Sequence, residues 1–334
     1  MKVCVFGAGA IGGFVGAELS RAGVDVGLVA RGAHLEAMRM RGVRLRIDGE
    51  EHVAHPTCTD DPAELGVQDY VIIALKAHAI SDAVDSMVPL LGPQTCVVTA
   101  SNGLPYWFFH GADRVPKGLP LGTVDPGGKQ WRVLGAERAV GCVVFPAAEV
   151  VAPGVIRHEH GRKLPIGEPD GERSKRIELL QELLVRAGFD APIRSDIRDE
   201  IWLKLWGNLC FNPISALSHT TVDAIADDPE TRAACKAMMT EAKAIGDRLG
   251  LQLRVDAERR IDGMASLGAH KMSMLQDLER GRSMEVEPLV GVVQELGRRL
   301  DVPTPTIDVV LALIRQRARC ASQHESTETA VANG

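Results

Sequence analysis

Three polar side chains recur every fourth residue in an otherwise apolar stretch: Lys204, Asn208 and Asn212. They lie in DEIWLKLWGNLCFNP, Asp199 to Pro213, and Lys204 is the one full charge between Ile201 and Val222. A helix this apolar is normally buried. At ~3.6 residues per turn, a spacing of four keeps the three groups on one slowly drifting stripe. Desolvation lowers the pKa of a buried ammonium, which suits a lysine that must give up a proton. The plainer alternative is a wet helix face with a snorkelling lysine. Pro213 removes a backbone donor, so the helix is expected to kink or end near Asn212.

A second constellation opens the chain. Lys2 to Phe6 reads as a short strand, and Gly7-Ala8-Gly9-Ala10-Ile11-Gly12 follows at once. A helical pattern then runs to Gly23, and Val24 to Val29 is a second strand. A GxGxxG run between a first strand and a helix is the dinucleotide-binding fingerprint. Its first glycine allows the tight turn, its second lets backbone approach a pyrophosphate, and its third lets helix pack on strand. The tip of the second strand, Val29-Ala30-Arg31, lacks the carboxylate that bonds an NAD ribose. Arg31 instead offers a planar donor fork to a 2′-phosphate, so NADPH is expected over NADH.

The elements that must carry these groups follow from pattern. Arg41 to Thr57 reads as a hairpin turning at Asp48-Gly49. Tyr70 to Leu75 is a buried strand leading to Lys76, a helix is expected over 77–91, and Thr95 to Thr99 leads to Ser101-Asn102-Gly103. Alternating strands and helices imply a parallel sheet, whose ligands gather beyond the carboxyl ends of its strands. Arg31, Lys76 and Asn102 all occupy such ends.

Leu104 to Gly135 is a long Gly- and Pro-rich excursion, read as a lid or subunit contact. Ala139 to Phe145, Val150 to His158 and Lys163 to Ile166 read as strands whose antiparallel pairing finishes the sheet. His158 and His160 alternate with Arg157 and Glu159, as on an exposed strand end rather than a metal site. A helix over Ser174 to Ala187 and a strand over Ala191 to Ile193 close the first domain.

From Ser195 the pattern is helical throughout, and the Arg-rich stretch Arg315 to Arg319 reads as a helix C-terminus answering its dipole. The expected division is therefore 1–194, 195–322 and a disordered tail over 323–334.

The whole chain, at 334 residues with 25% charged and 45% hydrophobic residues, has the profile of a soluble two-domain protein. A net charge of −6 argues against nucleic-acid binding. Seven dispersed cysteines without a CxxC pair favour neither a disulfide framework nor a zinc site. A reducing cytoplasm fits, no signal peptide or membrane span is read, and no metal is expected.

With these residues in place, the chain resembles the ketopantoate reductase (2-dehydropantoate 2-reductase) family from Lys2 to about Arg319. The resemblance rests on GAGAIG at Gly7, LKA at Leu75, SNG at Ser101, the lysine-asparagine helix, and SMLQDLERGRSMEVE from Ser273 to Glu287. It implies an α/β fold: an N-terminal Rossmann domain joined to an all-α domain like the C-terminal domain of 6-phosphogluconate dehydrogenase. It also implies a small-molecule 2-oxo acid as substrate, NADP(H) as cofactor, an active site in a cleft, and leaves a homodimer open.

Transferred residue by residue, the resemblance makes Lys204 the catalytic lysine and Glu285 the acid that supports it. Asn102 stands near the nicotinamide and reacting carbonyl, Asn208 and Asn212 on the substrate's hydroxyl side, and Ser273 at its carboxylate. Gly7, Gly9, Ala10, Ile11, Gly12, Arg31 and Lys76 face the cofactor. On their own, Glu285 reads as an exposed helix acid and Ser273 as a helix N-cap. Two departures bear on the substrate: His270 stands where the family's best-known members have a substrate-binding asparagine, and 220–222 lacks another.

Overall fold

The structure, a computed structural model, describes the backbone of residues 1–111 and 121–332 and the side chains as far as residue 321. Its described residues form two compact units, one reaching Glu200 and the other starting at Ile201.

The first unit contains all the strands. In chain order it runs β1 (Lys2–Phe6), α1 (Ala10–Arg21), β2 (Asp25–Val29), α2 (Gly32–Arg41), β3 (Val43–Ile47), β4 (Glu50–Ala54), β5 (Thr57–Thr59), β6 (Tyr70–Ile73), α3 (Ala77–Ala83) and β7 (Cys96–Thr99). It continues through α4 (Lys129–Leu134), β8 (Ala139–Cys142), β9 (Ala147–Ala152), β10 (Val155–His160), β11 (Ile166–Gly167) and α5 (Lys175–Arg186). The main sheet has the order β11-β8-β7-β6-β1-β2-β5. Every pair in it is parallel except β11 with β8. That order reverses direction between β1 and β6, the switch point at which doubly wound sheets bind nucleotides. The central strands are buried on both faces, which is why they read as unbroken apolar runs such as YVII.

The expected strand from Val150 to His158 is instead a hairpin, β9 and β10, broken at Pro153-Gly154. It does not finish the main sheet. With β3 and β4 it forms a second sheet, β4-β3-β10-β9, in which β10 runs parallel to β3. The side-chain alternation explains the separation. Val43, Leu45, Ile47 and Ile156 are buried, and the Ile156 side chain meets α1 at Gly13. The other face carries Arg44 and Arg46 on Glu51, and Arg157 on Glu149. The turn at Asp48-Gly49 joins β3 to β4 with φ of 51° and 82°, the positive pair that a two-residue hairpin loop takes.

Two further expectations are corrected by proline. The helix expected over 77–91 tightens into 3₁₀ turns from Val84 to Leu90, where Pro89 withholds a donor. Ala191 to Ile193 contributes one isolated bridge, Ile193 with Ile166, rather than a strand, since Pro192 accepts from Ile166 but has no N–H to return.

The excursion from Leu104 is anchored at both described flanks; its residues 112–120 lie outside the described ones. Tyr106, Trp107, Phe108 and Phe109 are buried. The Trp107 indole donates to Thr99 Oγ1 at 3.0 Å and Tyr106 to the Gly135 carbonyl at 3.0 Å. Arg198, itself buried, donates to the carbonyls of Phe108, His110 and Pro169. Asp125 caps α4 by accepting the amides of Gln130 and Trp131.

The second unit is helical: most of α6 (Ile197–Ser218), then α7 (Val222–Asp227), α8 (Pro229–Arg248), α9 (Ala257–Ala265), α10 (Ser273–Glu279), α11 (Val292–Arg299) and α12 (Pro305–Ala332). Trp202, Trp206 and Phe211 are fully buried on α6, each contributing on the order of 1.5–3 kcal/mol of apolar burial. The Trp206 indole donates to the Met239 carbonyl at 2.7 Å and the Cys210 thiol to that of Cys235 at 3.5 Å, tying α6 to α8.

Of the two outcomes expected near Asn212, a kink or an end, α6 does not end there; it runs through Pro213 to Ser218. The proline forfeits one helical bond, and buried side chains flank it from Leu209 to Ala216. The Arg-rich stretch is not a helix end either. α12 passes through it, and Arg315 instead makes a bidentate pair with Glu287 at 2.6 Å.

Candidate active site

In the first unit the residues expected to face a nucleotide leave the sheet at one end of its strands. Phe6 stands opposite Val29 on one side and Ile73 on the other, and Ile73 opposite Thr99. Four adjacent strands, β7-β6-β1-β2, therefore end level. The segments leaving them are Ser101-Asn102-Gly103, Lys76, the glycine turn and Arg31. Asn102 and Lys76 are half-buried and Arg31 is exposed.

The glycine turn has the shape an anion needs. Gly7 has φ of +99°, and its amide and that of Ala8 donate to the Val29 carbonyl at 3.1 and 2.9 Å. A Cβ on Gly12 would lie 2.1 Å from the Gly7 carbonyl oxygen, so only glycine lets α1 start this close to β1. At Gly9, the N-cap, the same construction meets nothing within 4 Å. No side chain caps α1 and no acid stands in its first turn. Ala10 and Ile11 thus open a helix whose free amides and dipole face open space, which fits a pyrophosphate.

A residue that sequence reasoning passed over supports this turn. His34 on α2 accepts the Gly154 amide at Nδ1, 3.0 Å, which leaves the proton on Nε2, 2.9 Å from the Ala8 carbonyl. The neutral imidazole thereby clamps the glycine turn to the β9–β10 hairpin. Its spacing from the fingerprint carries no periodic signal; only the fold brings the three together.

In the second unit, Lys204 and Asn208 are half-buried on successive turns of α6, and Asn212 is 1% exposed. The Asn212 carboxamide oxygen accepts both the Ser273 hydroxyl and the Met274 amide at 3.0 Å. Its Nδ2 is buried without a partner. Ser273 is thus the first residue of α10, not its N-cap, and it is exposed except for this bond. Glu285 is 7% exposed and precedes a single π-helical turn, Glu287–Gly291, so it is not a surface acid. The two departures meet each other, for the Val222 amide donates to the His270 carbonyl at 2.9 Å.

Among the described residues no group of His, Cys, Asp and Glu is arranged to hold a metal ion, and no helix is long and apolar enough to cross a membrane.

Comparison with known proteins agrees with this geometry. Residues 3–171 match the family described as ketopantoate reductase PanE/ApbA, and residues 196–318 match its C-terminal counterpart. The chain belongs to the ketopantoate reductase family. A 2-dehydropantoate 2-reductase of Mesorhizobium japonicum is 56% identical over 319 residues, 95% of this chain and 98% of that protein. A solved structure from Ralstonia solanacearum MolK2, assigned there as a ketopantoate reductase, superposes with a TM-score of 0.90 at 43% identity, covering 96% of this chain and 98% of that one. The 2-dehydropantoate 2-reductase of Geobacter metallireducens GS-15 superposes with a TM-score of 0.83 at 26% identity, over 95% and 99% of the two chains. The ketopantoate reductase family consists of oxidoreductases acting on CH–OH groups and uses NADPH.

Proposed function

We propose that this chain reduces a 2-oxo acid with NADPH, with ketopantoate as substrate and pantoate, a precursor of pantothenate, as product, in the cytoplasm. The observation that carries this reading is the α6 stripe: an ammonium and two amides on one face of a buried helix, the last amide bonded to Ser273. NADPH supplies the hydride to the keto carbon. Negative charge then grows on the carbonyl oxygen, which needs a proton and donors aimed at it.

Lys204 gives that proton. Glu285 supports the lysine in that role. Asn102 shares the developing charge, and Asn208 holds the substrate's hydroxyl side. Asn212 and Ser273 act as a bonded pair at the polar end of the substrate, fixing its approach. Arg31 meets the cofactor 2′-phosphate with its fork, and Lys76 its phosphate side.

A turnover screen tests the reading: NADPH oxidation with a panel of branched 2-oxo acids, against NADP-dependent oxidation of 3-hydroxy acids. Ketopantoate should give the highest kcat/KM. Preference for 3-hydroxy acids would assign a related β-hydroxyacid dehydrogenase. Cofactor binding without turnover of any of them would assign an NADP(H)-sensing protein.

A further inference from the structure

Four strands of the main sheet end level, but β8 does not stop with them. Gly141 stands opposite Thr99, the last residue of β7. The chain then stays extended through Phe145, because the amides of Val143 and Phe145 donate to the carbonyls of Pro165 and Lys163 at 2.9 and 3.2 Å. At about 3.3 Å per residue, Phe145 stands about 13 Å beyond the level of Thr99. Asn102 leaves that level on the neighbouring strand.

Side chains alternate along this extension. Val140, Cys142 and Val144 join the core cluster with Phe14 and Val15 of α1. Gly141, Val143 and Phe145 share the opposite face, where a Cβ on Gly141 would lie 2.7 Å from Ile197 and 2.9 Å from Trp107. Every residue from Ala139 to Val144 is buried, whereas Phe145 is 36% exposed.

Its ring is nonetheless held. The Lys163 ammonium lies over it, 5.6 Å from the centroid, and the buried Pro146 follows it. Gly161, the residue after β10, takes φ of +79° and packs so close that a Cβ there would stand 3.4 Å from the Phe145 carbonyl oxygen. An aromatic ring fixed in this way, yet more than a third exposed at the ligand end of a parallel sheet, is a preorganised apolar surface.

The chemistry still unserved is apolar. The groups assigned to the 2-oxo acid, Lys204, Glu285, Asn102, Asn208, Asn212 and Ser273, are all polar. The carbon next to the ketopantoate carbonyl carries two methyl groups, and covering them with an aromatic face removes apolar surface from water.

We infer that Phe145 is a specificity-determining residue whose ring packs against the branched carbon of the 2-oxo acid. The inference rests on the 2-oxo acid reading of this enzyme and names the apolar subsite that selects among such acids.

The test compares ketopantoate with 4-hydroxy-2-oxobutanoate, which keeps its carboxylate, carbonyl and hydroxyl and lacks only the two methyls. Steady-state constants and the Kd for NADPH are measured for the wild type, Phe145→Ala and Phe145→Leu, and ketopantoate is titrated into the NADP⁺ complex of each. The wild type should prefer ketopantoate by kcat/KM. Phe145→Ala should lose about 10- to 100-fold in kcat/KM for ketopantoate, mostly through KM, and less than about threefold for the unbranched acid. Phe145→Leu, which keeps an apolar wall, should recover most of the preference. The Kd for NADPH should not move, and Tm should hardly fall for a side chain this exposed.

A preference absent from the wild type, or unchanged in Phe145→Ala, overturns the inference, as does an equal loss for both acids. A Kd for NADPH raised along with KM would give the ring to the nicotinamide and overturn it too. If the wild type reduces no 2-oxo acid yet binds ketopantoate in a Phe145-dependent way, the reductase reading fails and the apolar subsite stands. If the wild type neither binds nor reduces it, both fall.

Discussion

Ser273 donates its hydroxyl proton to Asn212, and the same oxygen receives the amide that begins α10. One side chain of α6 thus positions the start of another helix, while its own amide nitrogen stays buried and unpaired. A buried donor left open in this way costs on the order of 1–3 kcal/mol unless something fills it, and a polar substrate atom would.

That arrangement separates two variants. Asn212→Asp keeps the accepting oxygen and removes the open donor; Asn212→Ala removes both. The expected result is a substrate KM raised about tenfold in both, with stability to urea lowered by about 1–3 kcal/mol in Asn212→Ala. A KM unchanged in Asn212→Asp would show that the open donor meets no substrate.

Arg31 is the residue proposed to discriminate between the cofactors. It leaves the carboxyl end of β2 with an exposed side chain, and Val29-Ala30 before it offers no carboxylate for a ribose hydroxyl. Arg31→Ala should lower kcat/KM with NADPH by about 10- to 100-fold, the scale of one charge-assisted pair, and leave NADH almost unchanged. Equal losses with both cofactors would deny it the 2′-phosphate.

His34 holds the glycine turn by two hydrogen bonds, so its loss should be felt in cofactor binding. Gln can offer a donor to the Ala8 carbonyl and an acceptor to the Gly154 amide, whereas Leu can offer neither. His34→Leu should raise the Kd for NADPH by up to about 30-fold, the equivalent of two lost bonds of about 1 kcal/mol each, and His34→Gln should restore much of it. Equal Kd values in all three proteins would reduce His34 to packing.

The buried thiols set an alkaline limit. Burial pushes Cys4 and Cys235 up to about 12 from an ordinary 9.0. The unfolded chain releases these protons near pH 9 and the folded chain holds them. Their contribution is therefore complete below pH 9 and lost as pH rises towards 12. The urea midpoint should fall steadily across that window, and neither thiol should react with a thiol reagent in the native protein at pH 8. Prompt modification of either would contradict the burial.

Much of this could be read before any coordinates because it depends on local pattern. The glycine turn, the level strand ends at Arg31, Lys76 and Asn102, and the α6 stripe all follow from periodicity and turn chemistry. The second sheet was not legible, because β3 and β10 are more than a hundred residues apart and pair only through the apolar face they share over α1. Where α6 ends could not be read from Pro213 alone, because a buried helix can absorb a lost bond that an isolated one cannot. His34 carries no signal in its own neighbourhood; it acquires its setting from the distant Gly154.

The most direct measurement is the single-turnover rate of Lys204→Ala with NADPH and ketopantoate, taken alongside its Kd for NADPH. Removal of a general acid predicts a rate lower by about 10²- to 10⁴-fold with cofactor binding unchanged. A rate near that of the wild type would remove Lys204 from the chemistry and contradict the proton-donor role proposed for it.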